Sequence, residues 1–251
     1  MRSLAFPVIW QSAPVAAHVA LPFDQVHLWC VPLDQSAERV DQLHQFLSDE
    51  ERERADRFRY RRDRQRFISG RGLLRLLLHR YLGDEPDQFR FSYGPHGKPA
   101  LIDPGRSIRF NLAHSQGLAL YALTDERELG VDVEWIRHIG EIGEIGEYAL
   151  STQEQHALRT LPAADRSAVF FQYWTRKEAF LKARGLGLVQ SLNESIGWRP
   201  MFHSRQMSMS WTWQGTRLWT LAELNLGDGC AAALVVAGSG WQPVCWRWTG
   251  Q

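Results

Sequence analysis

The residues best suited to chemistry form two short acidic motifs in different parts of the chain. Asp132 and Glu134 lie in an alternating apolar run, and the two-residue period of a strand places both carboxylates on one face. Glu178 and Lys182 are four residues apart in a helical segment, so they also share a face. Three carboxylates suit Mg²⁺, which prefers oxygen ligands and often binds substrate phosphates, and a nearby lysine can neutralise a phosphate. The motifs therefore predict a divalent-metal site for a phosphate ester.

Each motif alone also has a purely structural interpretation. An Asp-x-Glu pair is often the solvated face of an edge strand, and Glu178 with Lys182 is a common surface ion pair of helices. The segment around Glu178 is rich in aromatic residues, which favours burial: Phe170, Phe171, Tyr173, Trp174 and Phe180. Because buried charge needs a partner or a metal, the two motifs together favour the chemical interpretation.

Four ordered motifs carry a resemblance to a known family. They are Gly130-Val131-Asp132-Val133-Glu134, Trp174-Thr175-Arg176-Lys177-Glu178-Ala179-Phe180-Leu181-Lys182, Phe110-Asn111-Leu112-Ala113-His114-Ser115 and His96-Gly97-Lys98-Pro99. The pattern resembles that of the 4′-phosphopantetheinyl transferases of the large single-chain type, exemplified by the surfactin-synthetase activating enzyme, over about residues 50 to 190. The resemblance implies a holo-[acyl-carrier-protein] synthase reaction. In it the phosphopantetheine arm of coenzyme A moves to a serine of an apo acyl or peptidyl carrier protein, leaving adenosine 3′,5′-bisphosphate.

The resemblance also implies roles for individual residues at the reacting phosphate. Asp132, Glu134 and Glu178 would hold Mg²⁺ or Mn²⁺ on the coenzyme A pyrophosphate, and Lys182 would neutralise its charge. The serine proton would go to Glu178 or, through a water, to Glu154. Metal and fixed cations together would stabilise the negative charge that builds up during transfer.

A second set of residues is implied for the rest of coenzyme A. Arg66 would bind the 3′-phosphate, for which a guanidinium fork is well suited, with Arg54 just upstream. Lys98 would lie beside the 3′-phosphate and adenine, and His114 would contact the phosphates. Surface solvation is an equally good interpretation of Arg54. Ala113 replaces a serine of the family pattern, which removes a hydroxyl able to bond the pantetheine or a phosphate.

Composition excludes several other classes of protein. The 251 residues carry a net charge of +1, which argues against a general nucleic-acid or membrane binder, and no apolar run approaches the length of a membrane span. The three cysteines are widely spaced, so we expect no disulfide framework and a cytoplasmic location. We also expect the protein to be a monomer. Eleven arginines between Arg52 and Arg80 could attract acidic carrier proteins, although a solvated helix with internal ion pairs is the better explanation for most of them.

The elements that must position these residues predict an α+β fold of two similar halves, residues 1–124 and 125–251. Each half would pack a long helix, Asp63–Tyr81 or Asp165–Arg184, on an antiparallel sheet. Serines at 48 and 151 predict N-caps of two shorter helices. The strands expected are Val26–Pro32, Phe89–Tyr93, Ile108–Leu112, Leu118–Leu123, Leu129–Trp135, Ser195–Trp198, Met209–Trp213, Leu218–Leu224 and Cys230–Ala237. The resemblance adds a pseudo-two-fold relation between the halves, with coenzyme A in the cleft between them.

Two other functions compete with transfer. A metal-dependent nuclease of the Asp…Glu-x-Lys type also combines carboxylates with a lysine, but its Glu and Lys stand two residues apart on one strand. Here the residue two after Glu134 is Ile136, and the lysine follows Glu178 by four. A non-catalytic binder of coenzyme A or of carrier proteins would be expected to lose a ligand or the lysine, and none is lost.

Overall fold

The computed structural model describes residues 9–14, 18–103, 105, 107–138, 149–186, 199–203, 206–213, 217–227 and 229–248. Its helices are α1 (Ala37–Gln45), α2 (Asp49–Asp56), α3 (Arg61–Leu82), α4 (Thr152–Arg159) and α5 (Ala163–Arg184), with a 3₁₀ turn at Pro86–Gln88. Its strands are β1 (Trp10–Ser12), β2 (Gln25–Pro32), β3 (Phe91–Tyr93), β4 (Pro99–Leu101), β5 (Ile108–Ser115), β6 (Leu118–Asp125), β7 (Leu129–Trp135), β8 (Arg199–His203), β9 (Gln206–Trp213), β10 (Arg217–Glu223), β11 (Cys230–Ala237) and β12 (Gln242–Arg247).

Local signals in the sequence determine where the helices begin and end. Ser48 and Ser151 form the predicted capping boxes of α2 and α4, each with the glutamate three residues later. The two long helices end at Gly83 and Gly185, whose φ angles of 82° and 68° favour glycine. The predicted strand at Ser195–Trp198 lies outside the described residues.

Two five-stranded sheets confirm the α+β prediction. The first has the order β1-β12-β2-β6-β5 and the second β7-β11-β10-β9-β8, while β3 and β4 form a separate hairpin. The second sheet is antiparallel throughout. The first sheet differs from the prediction, because β12 pairs in parallel with β2 and with β1. Strand β12 therefore lies in residues 125–251, the second of the two expected halves, but completes the first sheet.

The layers place one long helix on the outer face of each sheet. Helix α3 buries Leu73 and Leu77 in a cluster with Trp29 of β2, and α5 buries Phe180 against Trp219 of β10. Between the sheets, apolar residues of both form one shared core, including Val26, Leu28, Leu120, Val131, Val133 and Leu234. Among the described residues, no helix is both long and apolar enough to cross a membrane.

Candidate active site

Strand β7 and helix α5 approach unusually closely at Gly130. A Cβ atom at this position would lie 2.1 Å from the Ala179 carbonyl oxygen and 2.3 Å from the Ala183 nitrogen. Residues 130, 132 and 134 share a face of β7 by strand alternation, so this face is the one that meets α5. The close approach brings the two carboxylates of the strand to the Glu178 and Lys182 face of the helix. The two acidic motifs of the sequence thus meet in one place.

Asp132 is the most buried carboxylate of this group, at 4% exposure. Its Oδ1 accepts a hydrogen bond from Lys182 Nζ at 2.7 Å, and the lysine side chain is itself 30% exposed. Burial raises the pKa of Asp132 to about 7, the charges of Glu178 and Glu134 also raise it, and Lys182 opposes them. The three carboxylates therefore interact electrostatically around one ammonium, and we call these four residues the carboxylate site.

Two oxygens of the carboxylate site suit a bound cation. Oδ2 of Asp132 and Oε1 of Glu178 are buried and have no hydrogen-bond partner among the described residues. Burial also raises the pKa of Glu178, with Lys182 opposing and Glu134 adding to the rise. Buried carboxylate oxygens without partners are costly unless a cation compensates them, and hard oxygen donors are what Mg²⁺ and Mn²⁺ prefer. The donor set therefore fits a divalent metal.

The carboxylate site is not a preassembled metal centre. Within the described ranges, no three acidic, histidine or cysteine side chains lie close enough together to coordinate one ion. Lys182 instead occupies one oxygen of Asp132. Three like charges brought closer together would repel one another, and a cation between them would offset that repulsion.

Strand β5 supplies two polar contacts to β7 for which the sequence analysis assigned no role. Asn111 Oδ1 accepts the Val131 N–H at 2.9 Å, and Ser115 Oγ accepts the Trp135 N–H at 3.0 Å. The Ser115 hydroxyl also donates to Glu134 Oε2 at 3.0 Å. The sequence held one signal for these contacts: Asn111 and Ser115 are polar residues spaced by four on the buried face of a strand.

The predicted phosphate-binding residues Arg66 and His114 lie close enough to interact electrostatically. Partial burial, then the charge of Lys182 and more weakly that of Arg66, lower the pKa of His114. Arg66 makes two hydrogen bonds to Asp34, from Nε at 2.7 Å and from Nη2 at 2.8 Å. Its hydrogen bonds lower the pKa of Asp34 to about 2. Sequence reasoning missed Asp34, since it lies 32 residues from its partner and no local pattern marks it.

Lys98 lies at the edge of a cleft of about 390 Å³ whose lining includes Tyr93, Arg109, Phe110, Glu128 and Arg184. Its Nζ donates to the carbonyl oxygens of Leu129 at 3.0 Å and Ala183 at 3.2 Å. Burial lowers its pKa, and Glu128 opposes the change. Lys98 thereby connects this cleft to the strand and helix that carry the carboxylate site.

Other predicted site residues lie in different surroundings. Arg54 is exposed, with its guanidinium 5.3 Å from the centre of the Phe67 ring. Glu154 accepts at Oε2 from the backbone N–H of Ser151 at 2.7 Å and from Lys177 Nζ at 2.6 Å, which ties α4 to α5. This network contains none of the other predicted site residues.

The structure does not support the expected effect of alanine at position 113. Ala113 is 3% exposed and packs with Val131 and Val133 in the core between the sheets. A serine hydroxyl here would therefore face strand β7 and not the cleft. The replacement removes a hydroxyl from the core rather than a contact to a ligand.

Comparisons with known proteins cover most of the chain. Residues 128–228 match the profile of the 4′-phosphopantetheinyl transferase superfamily, and residues 34–125 match that of the 4′-phosphopantetheinyl transferase N-terminal domain. The chain is 39% identical to the 4′-phosphopantetheinyl transferase HetI of Nostoc sp. over 237 residues, 94% of this chain and 97% of HetI. It is 31% identical to the 4′-phosphopantetheinyl transferase Sfp of Bacillus subtilis over 62% of this chain and 67% of Sfp.

Proposed function

The chain belongs to the 4′-phosphopantetheinyl transferase family, and from this membership we propose that it loads apo carrier proteins with the phosphopantetheine arm of coenzyme A. The reaction forms a bond between a serine oxygen of the carrier and the β-phosphorus of coenzyme A. It breaks the bond from that phosphorus to the oxygen that leaves with adenosine 3′,5′-bisphosphate. The observation that carries the proposal is the pair of buried, unpartnered oxygens of Asp132 and Glu178 beside Lys182.

Asp132, Glu134 and Glu178 would hold Mg²⁺ or Mn²⁺. When bound, the cation polarises the phosphoryl oxygens and stabilises the negative charge that develops on them. Lys182 would donate charge-assisted hydrogen bonds to the pyrophosphate, since its partly exposed ammonium already lies beside Asp132. Together the three carboxylates and the lysine would position the reacting groups, and positioning with charge stabilisation is most of what catalysis of phosphoryl transfer requires.

The two candidate bases differ in their surroundings. Oε2 of Glu154 already accepts hydrogen bonds from Ser151 and Lys177, and the pair with Lys177 is largely buried. Glu178 has a buried oxygen without a partner next to Lys182 and Asp132. Glu178 is therefore better placed to take the proton from the attacking serine, and Glu154 orders the helix pair α4 and α5.

The adenosine half of coenzyme A would occupy the cleft beside Lys98, and the phosphates would extend past His114. Arg66 would bind the 3′-phosphate, because its guanidinium lies beside the turn that follows His114: a Cβ atom at Gly117 would be 3.0 Å from Arg66 Nη2. Asp34 holds the guanidinium by two hydrogen bonds and so orients it before the ligand arrives. Arg54 would add charge at the surface nearby.

Replacing Arg66 by alanine is expected to raise the KM for coenzyme A about 10- to 100-fold while kcat changes little, since one charge-assisted phosphate contact is lost. The same variant should no longer distinguish coenzyme A from 3′-dephospho-coenzyme A, whereas the wild type should. Steady-state kinetics with both substrates measure this difference. Arg64→Ala is the matched control, because Arg64 lies on the same helix and pairs with Asp56 at 2.8 Å. Equal discrimination by wild type and Arg66→Ala would refute the assignment.

The proposed reaction can be tested on intact carrier proteins. The purified protein is mixed with coenzyme A, Mg²⁺ and a panel of apo acyl and peptidyl carrier proteins, with and without chelator, and carrier masses are recorded. We expect a gain of one phosphopantetheine arm that chelator abolishes and added Mg²⁺ or Mn²⁺ restores. Coenzyme A binding without transfer to any carrier would instead indicate a non-catalytic binding module. Cleavage of nucleic acid without transfer would indicate a nuclease.

Two features support the remaining parts of the proposal, the acidic partner and the cytoplasmic location. Arg57 and Arg59 are exposed between α2 and α3, and Arg61 is exposed at the start of α3, five residues before Arg66; these arginines would attract an acidic carrier protein. All three cysteines have free thiols, which suits a reducing compartment.

A further inference from the structure

Strands β5 and β7 lie side by side at the edges of the two different sheets. Asn111 and Ser115 of β5 reach across and accept the backbone N–H groups of Val131 and Trp135. Both side chains are buried, at 4% and 9% exposure. A buried backbone N–H without an acceptor costs about 1–3 kcal/mol, so these side chains satisfy part of the β7 edge that no neighbouring strand pairs.

The two contacts differ in what else they touch. The four-residue spacing on β5 matches the spacing on β7, so the contacts flank Asp132 and Glu134. Among the described residues, Asn111 accepts the backbone N–H of Val131 and makes no hydrogen bond to the carboxylate site. Ser115 contacts the backbone of Trp135 and, through its hydroxyl proton, Glu134 Oε2.

One hydroxyl therefore fixes a carboxylate relative to the strand that carries it. A serine hydroxyl has a single proton, and here that proton is donated to Glu134 while a lone pair accepts the Trp135 N–H. With both functions used, the Oγ has one orientation, which also fixes the direction of Glu134 Oε2. Arg137 is the other partner described for this carboxylate, at 4.0 Å and 65% exposed, and it constrains the group much less.

We propose that Ser115 is a positioning residue that orients Glu134 for a divalent cation, whereas Asn111 clamps the same strand without acting on a ligand. The inference rests on the proposed metal site and adds a residue outside its ligand set. Partners that orient metal ligands by hydrogen bonds contribute about 10- to 100-fold in metal affinity. Ser115 should therefore affect cation binding through Glu134 and affect the fold through Trp135.

The test measures Mn²⁺ affinity by calorimetry on the full chain in the absence of coenzyme A, together with the melting temperature. Ser115→Ala is expected to weaken Mn²⁺ binding about 10-fold or more, and Ser115→Thr, which keeps the hydroxyl, should restore most of it. Asn111→Ala is the matched control, since it also removes the acceptor of one β7 amide. It should lower the melting temperature but leave Mn²⁺ affinity nearly unchanged.

A double-mutant cycle with Glu134→Gln separates positioning from general damage. If Ser115 acts through Glu134, Ser115→Ala should have little further effect on Mn²⁺ binding in the Glu134→Gln background. Equal losses of Mn²⁺ affinity in Ser115→Ala and Asn111→Ala, or additive effects in the cycle, would overturn the positioning role. A wild type that binds no Mn²⁺ would overturn the metal site itself, and with it the inference. Wild-type Mn²⁺ binding by Ser115→Ala would overturn only the role of Ser115.

Discussion

Asp132→Asn is expected to reduce transfer by about 10³-fold or more while leaving the apo protein as stable as the wild type or more stable. The substitution keeps the shape of the side chain and removes the charge that would bind the cation. In the folded protein this charge is unfavourable, because burial raises the pKa of Asp132 to about 7 and one oxygen has no partner. Lys182 loses the opposite charge of its partner and keeps an amide oxygen as acceptor, and at 30% exposure water can also solvate it.

Two measurements together check this expectation. Carrier loading gives kcat. Thermal melting gives the stability, and repeating it with Mg²⁺ shows whether the cation stabilises the folded state. Mg²⁺ should raise the melting temperature of the wild type and not that of Asp132→Asn, since only a species that binds the folded state stabilises it. Transfer by the variant at more than about one tenth of the wild-type rate would contradict the assignment of Asp132 as a ligand.

Glu223→Gln offers the opposite profile and serves as the control. Glu223 is a buried carboxylate of the same sheet and accepts from Arg176 Nε of α5 at 2.7 Å. Loss of its charge leaves the half-buried Arg176 beside a neutral group, which should cost about 3 kcal/mol of stability. Activity below the melting transition should be retained. The two variants thereby distinguish a carboxylate that stabilises the fold from one that destabilises it within the same sheet.

The sequence predicted the parts of the site that depend on short-range pattern. Strand β7 and the C-terminal end of α5 occur at the predicted residues, because the alternating run around Asp132 and the glycine at 185 act locally. The shared faces of Asp132 with Glu134, and of Glu178 with Lys182, follow from helix and strand periods alone. Neither motif alone predicts that these two faces meet. That prediction came from interpreting the motif on β7 and the motif on α5 together.

Contacts between distant elements were not predictable in this way. The clamp by Asn111 and Ser115 requires that the edges of two sheets lie side by side, and periodicity contains no information about strand order. The parallel pairing of β12 with β2 could not be predicted for the same reason, because it joins segments more than two hundred residues apart in the chain. For Glu154 the sequence predicted one contact and not the other. Its position three residues after the N-cap serine indicates a helix cap, whereas its bond to Lys177 depends on how α4 packs on α5.

Gly130 belongs to the acidic motif of β7 and is also a position where β7 packs very closely on α5. Gly130→Ala is therefore expected to lower kcat about 100-fold. The added Cβ would lie 2.1 Å from the carbonyl oxygen of Ala179, where ordinary contact begins at 3.4 Å. The obstacle is helix backbone, so no rotamer change relieves it and α5 must move by more than an ångström. Glu178 and Lys182 move with the helix, which lengthens the 2.7 Å bond between Lys182 and Asp132.

The control for this substitution is Gly70→Ala in α3, the long helix that packs on the first sheet. A Cβ at Gly70 would have its nearest contacts at 3.7 Å and 3.8 Å, which is ordinary packing. Alanine should therefore stabilise α3 by up to about 1 kcal/mol, whereas overpacking at Gly130 should cost about 1–3 kcal/mol. Melting temperatures and carrier-loading rates of the two variants measure the contrast. Wild-type activity in Gly130→Ala would mean that α5 can shift without disturbing the site, and that the Lys182–Asp132 contact does not control the reaction.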